Sequence, residues 1–271
     1  MRRGLRILLA LATASLLPTS VHAQAYSDMQ SVSSTTDPAA LRALATRREV
    51  LERLRIGFDE ETHGQWNAAA AEFHRVLALH PAEPQGSTTD YDLGLAQAQL
   101  GDYDGAAISL RAAIALDDGF LAARANLVDV DLLHGDLTAA KKDADELLAR
   151  SPSSARALYI DGVVALKADD ADTALHDFGA LLVRNPAYAT AHYDLALAQI
   201  KTERLDDAER DLRFALNAAP AFARARFALA TVLLRQGHRD EARLAFDRAA
   251  RDAADYSLRS IASSMRDSLG N

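Results

Sequence analysis

The 271-residue sequence predicts an all-α fold, a solenoid of about six stacked helix pairs, and three observations carry that reading. Alanine and leucine are abundant while there are only 7 prolines and 13 glycines, a mixture that favours helix because alanine and leucine lose little on entering one. Gly64, Gly101, Gly135, Asp169, Glu203 and Gly237 recur at steps of 37, 34, 34, 34 and 34 residues, the interval of a repeated supersecondary unit. Four further columns keep that register, so the cadence does not rest on the abundance of alanine alone.

The first column is alanine in every unit: Ala69, Ala106, Ala140, Ala174, Ala208 and Ala242. Next come Phe73, Leu110, Ala144, Phe178, Leu212 and Phe246, then Val76, Ala113, Leu147, Leu181, Ala215 and Ala249. The last reads Pro81, Asp118, Pro152, Pro186, Pro220 and Ala254. Each unit is thus two amphipathic helices joined by a tight turn. Glycine at the turn supplies the left-handed conformation that ends the first helix; Asp169 tolerates that conformation and Glu203 does so less well. Alanine lets the two helices approach, the phenylalanine or leucine fills the space beside it, and proline stops the second helix. Seven residues before each turn stand Gly57, Gly94, Val128, Gly162, Ala196 and Ala230, mostly small for the same close contact. No pair can bury its apolar face alone, so neighbours must stack.

On these columns the sequence resembles the tetratricopeptide repeat family across about residues 50–256, with repeats at about 50–83, 87–120, 121–154, 155–188, 189–222 and 223–256. Longer helix-pair repeats would share the general architecture. The resemblance implies a right-handed superhelix whose first helices line a concave groove where ligands lie. Two family positions depart from pattern. The early tryptophan position holds Arg53, Asp90, Arg124, Leu158, His192 and Arg226, and the first-helix tyrosine position holds Glu60, Gln97, Asp131, Ala165, Gln199 and Leu233.

The ends carry their own signals. Arg2, Arg3 and Arg6, the apolar run Ile7–Leu17 and the Val21-His22-Ala23 cleavage pattern predict a Sec-type signal peptide over 1–23. Residues 24–36 are polar and serine-rich, the composition of a flexible tether. The solenoid is expected over 37–256, opening with Asp37 as N-cap and Pro38 at the first helical position. Leu258, Ile261, Met265 and Leu269 predict a capping helix within 257–271. Loss of the leader removes three arginines and no acid, taking the formal charge from −8 to −11. An acidic chain lacks the clustered basic surface that nucleic acid requires, and no membrane anchor is expected after cleavage. The leader and the strong preference for arginine over lysine point to a bacterial protein, periplasmic or secreted. There is no cysteine, so disulfides and thiolate metal sites are excluded.

A search for chemistry finds no catalytic residues, no cofactor motif and no metal-ligand spacing. No nucleophile–base pair can be assembled, so the protein is read as not an enzyme. His74 and His80, six apart on the second helix of the first pair, face different sides. The resemblance places the candidate partner groove on the first helices: Tyr91, Asp92, Asn126, Asp129, Tyr159, Tyr193, Asp194 and Phe227, with Arg156 and Arg224 at its entrance. Lys167, Lys201 and Arg235 repeat along its edge. Aromatic rings there offer contact area at low entropy cost, and polar groups fix an extended backbone. The rings can equally pack between adjacent first helices, and the basic trio can compensate helix dipoles. The function expected is a cell-envelope interaction scaffold holding a protein or peptide, without a cofactor. The alternative is a carrier of polysaccharide or peptidoglycan fragments that stacks sugars on the tyrosines.

Overall fold

The structure, a computed structural model, describes residues 37–270, and over them thirteen helices and no strand form. The expected leader and tether, 1–36, lie outside the described residues, as does Asn271. The first three pairs are α1 Pro38–Thr62 with α2 Trp66–Leu77, α3 Gln85–Leu100 with α4 Tyr103–Leu116, and α5 Leu121–His134 with α6 Leu137–Arg150. The next three are α7 Ala155–Lys167 with α8 Ala171–Arg184, α9 Ala189–Lys201 with α10 Leu205–Ala218, and α11 Ala223–Arg235 with α12 Arg239–Asp252. A final helix, α13, covers Tyr256–Ser268. The fold is an all-α repeat solenoid.

The chain divides into two compact units, one ending at Asp143 and the other beginning at Ala144. Within the first, α1 through α5 pack each on the next and α3 also touches α5. Within the second, α7 through α13 pack in sequence, and the first helices α7, α9 and α11 touch one another in turn.

Every first helix ends in the same way. The six turn residues all take positive φ, from 60° at Glu203 to 92° at Gly135. The backbone N–H of the residue immediately after each turn residue donates to a carbonyl five residues back, as in Gln65 to Glu60 (2.8 Å) and Arg204 to Gln199 (2.8 Å). This is the hydrogen bond that closes a helix once a left-handed residue has turned the chain. Asp169 and Glu203 hold the conformation without glycine's freedom, and each carboxylate forms an ion pair with the next repeat's basic residue, Lys201 and Arg235 respectively. Asp102, Asp136 and Asp170 then cap the following second helices through backbone N–H groups at 2.9–3.1 Å.

The packing columns fall where the sequence puts them. All six alanines of the first column have zero exposure, and Phe73, Leu110, Phe178, Leu212 and Phe246 are equally sealed. The small column makes this contact possible. A Cβ built on Gly57 would lie 2.6 Å from Phe73 Cε1, and one on Gly162 would lie 2.8 Å from Phe178 Cε1. The phenylalanine ring therefore occupies the space that the missing side chain leaves.

At several of the positions where the family carries tryptophan or tyrosine, this chain carries hydrogen bonds. His192 Nδ1 lies 2.7 Å from Asp211 Oδ1, and Gln199 Nε2 donates to Asp211 Oδ2 at 2.8 Å. Gln97 accepts from Ser109 (2.7 Å), and Arg53 joins Glu72 (3.1 Å). Two local expectations are corrected. On α13 the buried residue is Ala262, while Ile261 is 54% exposed. The inward face is Leu258, Ala262, Met265 and Leu269, because α13 lies on the small Ala249–Ala250 surface and a helical face repeats every three to four residues. His80 does not share a helix with His74: α2 stops at Leu77 and His80 takes a φ of 49°.

Two glycine substitutions test the interlock with opposite signs. Gly162→Ala should destabilise by about 1–3 kcal/mol despite alanine's better helix propensity, because its methyl meets Phe178. Gly179→Ala, within α8 and with open space around its Cβ, should stabilise by about 0.5–1 kcal/mol. Urea unfolding followed by circular dichroism reads both.

Candidate binding groove

Because first helices of neighbouring repeats touch, side chains one repeat apart can reach each other, and two rungs form in this way. Asn126 Nδ2 donates to the Tyr91 hydroxyl at 2.9 Å between α3 and α5. The Tyr159 hydroxyl donates to Asp194 Oδ2 at 2.8 Å between α7 and α9. Each rung spans 35 residues, one repeat plus one position. The pairing therefore joins a tyrosine column to the column beside it on the next helix.

The rings have a second partner that sequence reasoning missed. Tyr91 packs on Phe120 (centroids 4.9 Å), Tyr159 on Tyr188 (5.4 Å) and Tyr193 on Phe222 (5.0 Å). Phe120, Tyr188 and Phe222 are the residues immediately before α5, α9 and α11. A signal was present: these positions form a column Phe120, Ser154, Tyr188, Phe222, and serine replaces the ring in the unit that follows Ala125. Phe227 meets Phe246 edge-on at 5.2 Å. The four groove rings are consequently half-buried, each sharing a face or edge with another ring.

The charged candidates divide. Lys201 and Arg235 are spent on Asp169 and Glu203, while Lys167 is exposed and its counterpart position, one turn column earlier, is Gly135. Arg156 and Arg224 are exposed, and Asp129 is half-buried. Burial pushes the Asp194 carboxyl up to about 6, against the Tyr159 hydrogen bond and the Arg224 charge, which both pull it down. Burial likewise raises the Tyr193 phenol, with Asp194 adding to the effect. Asp92 is 7% exposed, and its carboxyl is raised well above the ordinary range by burial and then by repulsion from Glu61. Glu61 itself is pushed up to about 7 by burial. Among the described residues no group of three or more His, Asp or Glu is placed to hold a metal ion, and no helix is long and apolar enough to cross a membrane.

The sequence profile of the tetratricopeptide repeat matches residues 54–119, 126–189, 162–212 and 193–257, well over half of the chain. The chain belongs to the tetratricopeptide repeat family. Tetratricopeptide repeat domains bind protein partners and are generally non-catalytic scaffolds. Comparison with curated proteins gives no match. Among solved structures, MamA (residues 41–end) from Desulfovibrio magneticus RS-1 aligns with a TM-score of 0.56 at 20% identity, covering 63% of this chain and 95% of that one. A tetratricopeptide repeat protein from Parabacteroides merdae aligns at 0.60 and 17% identity, covering 83% and 100%. A chain of the Cut9–Hcn1 hetero-tetramer aligns at 0.67 and 18% identity, covering 95% of this chain and 48% of that one. At such identities the likeness is one of fold.

Two outcomes follow from the tetratricopeptide groove's electrostatics. Tyr159→Phe should cost about 1–2 kcal/mol by removing a donor from a half-buried carboxylate. The loss should be larger at pH 8, where Asp194 is ionised, than at pH 5; denaturant titrations at the two pH values compare them. For the whole chain, the folded pKa values of Asp90, Asp131 and Asp194 (about 6 each) and Glu61 (about 7) lie above their unfolded values. The folded state therefore binds the extra protons, and stability falls as pH rises through 6 to 7. The Tm should drop by about 5 °C between pH 5.5 and pH 8.

Proposed function

We propose that this tetratricopeptide repeat protein is an interaction scaffold of the bacterial cell envelope, holding a protein or peptide along its first-helix face. The observation that carries the reading is the pair of tyrosine rungs. Within its own unit each rung locks neighbouring first helices in register and leaves polar atoms and ring edges on the first-helix face, where a partner backbone can meet them. A surface held by packing and hydrogen bonds loses little freedom on binding, which favours association. The leader-like start of the sequence supports export, and residues 37–270 would act in the periplasm or beyond it. The chain's net charge of −8 is compatible with a protein partner and opposes a polyanion such as nucleic acid.

Carriage of sugars is the weaker reading. Stacking a pyranose needs an open ring face, and Tyr91, Tyr159 and Tyr193 each share ring surface with the aromatic residue that starts the next repeat.

A photo-crosslinking residue placed at Lys167, exposed at the end of α7, should give a discrete adduct in living cells. The same residue at Val183, 85% exposed on the second helix α8, should give none. Equal labelling from both positions would remove the first-helix face as the binding surface. Fractionation of the same cells should recover the chain with the envelope; recovery from the cytosol would remove the envelope assignment.

A further inference from the structure

One polar group of the ladder faces a position that holds no tyrosine. In the rungs Tyr91–Asn126 and Tyr159–Asp194, a first-helix tyrosine meets a polar group on the following first helix. Asp92 occupies the column of Asn126 and Asp194, one repeat before Asn126, and the tyrosine position that would meet it holds Leu54. Asp194 enjoys a second compensation, the Arg224 guanidinium. The residue in Arg224's column that stands in the same relation to Asp92 is Ala122. Asp92 is nonetheless buried to 7% exposure, deeper than the half-buried Asp194.

Nothing else in the first unit takes the donor's place. Among the described residues no hydrogen bond or ion pair reaches the Asp92 carboxylate, and its charged neighbour is another acid, Glu61 on α1. The nearby arginines of α1 are engaged elsewhere, Arg53 with Glu49 and Glu72 and Arg55 with Glu52. A mostly buried carboxylate with no protein donor and a second acid as its charged neighbour carries a desolvation cost that a cationic ligand would offset.

We propose that Asp92, with Glu61, is a receptor for a basic side chain, an arginine or lysine of an extended peptide partner lying along the first helices. The inference rests on the scaffold reading and names the partner's chemistry. A guanidinium or ammonium supplies both what Leu54 cannot donate and the positive charge that Ala122 does not carry, and a charge-assisted bond to a desolvated carboxylate is the stronger kind. The chain's net negative charge steers such a partner toward it.

The test uses the full chain and two pentapeptides, N-acetyl-Gly-Gly-Arg-Gly-Gly-amide and its counterpart with citrulline, which keeps the shape of arginine without the charge. Isothermal titration should show the arginine peptide binding at least about tenfold more tightly. Asp92→Asn should erase the difference by removing the charge. Leu54→Tyr should erase it by restoring the internal rung, with the Tm unchanged or raised, so that loss of binding is not loss of fold. Equal affinity for the two peptides, binding of neither, a preference that survives both variants, or calcium binding in place of peptide binding would each overturn the receptor. The in-cell crosslinking from Lys167 separates the two readings. An adduct that persists without an arginine preference overturns the receptor alone, and loss of the adduct overturns the scaffold.

Discussion

The distance between the two helices of each pair is the constraint from which the rest of the structure follows. Six alanines with no exposed surface set it, and the rings of Phe73 and Phe178 seat against glycines that have no Cβ to obstruct them. Dense interiors transmit small displacements instead of absorbing them. Within each unit the next first helix packs on the pair before it, so the spacing inside a pair decides where the next tyrosine column arrives. The 2.8 Å contact of Tyr159 with Asp194 is a downstream result of alanine at 174 and glycine at 162.

This chain stabilises its pairs partly by polar means. The family's large aromatic positions hold His192 and Gln199, which converge on Asp211, and Gln97, which takes a bond from Ser109. A hydrogen bond inside a low-dielectric interior is directional, so it fixes register where an apolar contact would tolerate sliding. The same choice leaves residues of cost: Asp177 Oδ2 and Gln199 Oε1 are buried with no partner. Such groups weaken a fold unless satisfied, which places the polar networks among the less forgiving parts of the repeat.

The fold was legible in the sequence because its determinants are local and repeated. A turn that needs a left-handed residue and a contact that needs alanine recur at one interval, and even Glu203, a poor residue for the role, adopts the expected φ of 60° because the five glycine or aspartate turns beside it share its geometry. The groove was less legible. Its columns were identifiable, but the rung between Tyr91 and Asn126 depends on how neighbouring first helices are offset, and that offset of one repeat plus one position is a tertiary quantity. Ile261 shows the same limit on a smaller scale. An apolar pattern on a helix fits two adjacent faces, and the small surface of Ala249 and Ala250 selected the one centred on Ala262.

Two kinds of column therefore coexist on one scaffold, and they obey different rules. Columns that set the helix spacing vary little, since a change there moves everything packed beyond it. The tyrosine column and its neighbour vary without disturbing the spacing: Tyr91 finds Asn126 and Tyr159 finds Asp194, whereas Asp92 follows Leu54 and Tyr193 precedes Ala228. In the last two cases the polar group stands opposite an apolar residue. An unmatched, mostly buried carboxylate costs more than an apolar replacement at the same position. Asp92 without an internal donor is the pattern expected where the partner comes from another molecule.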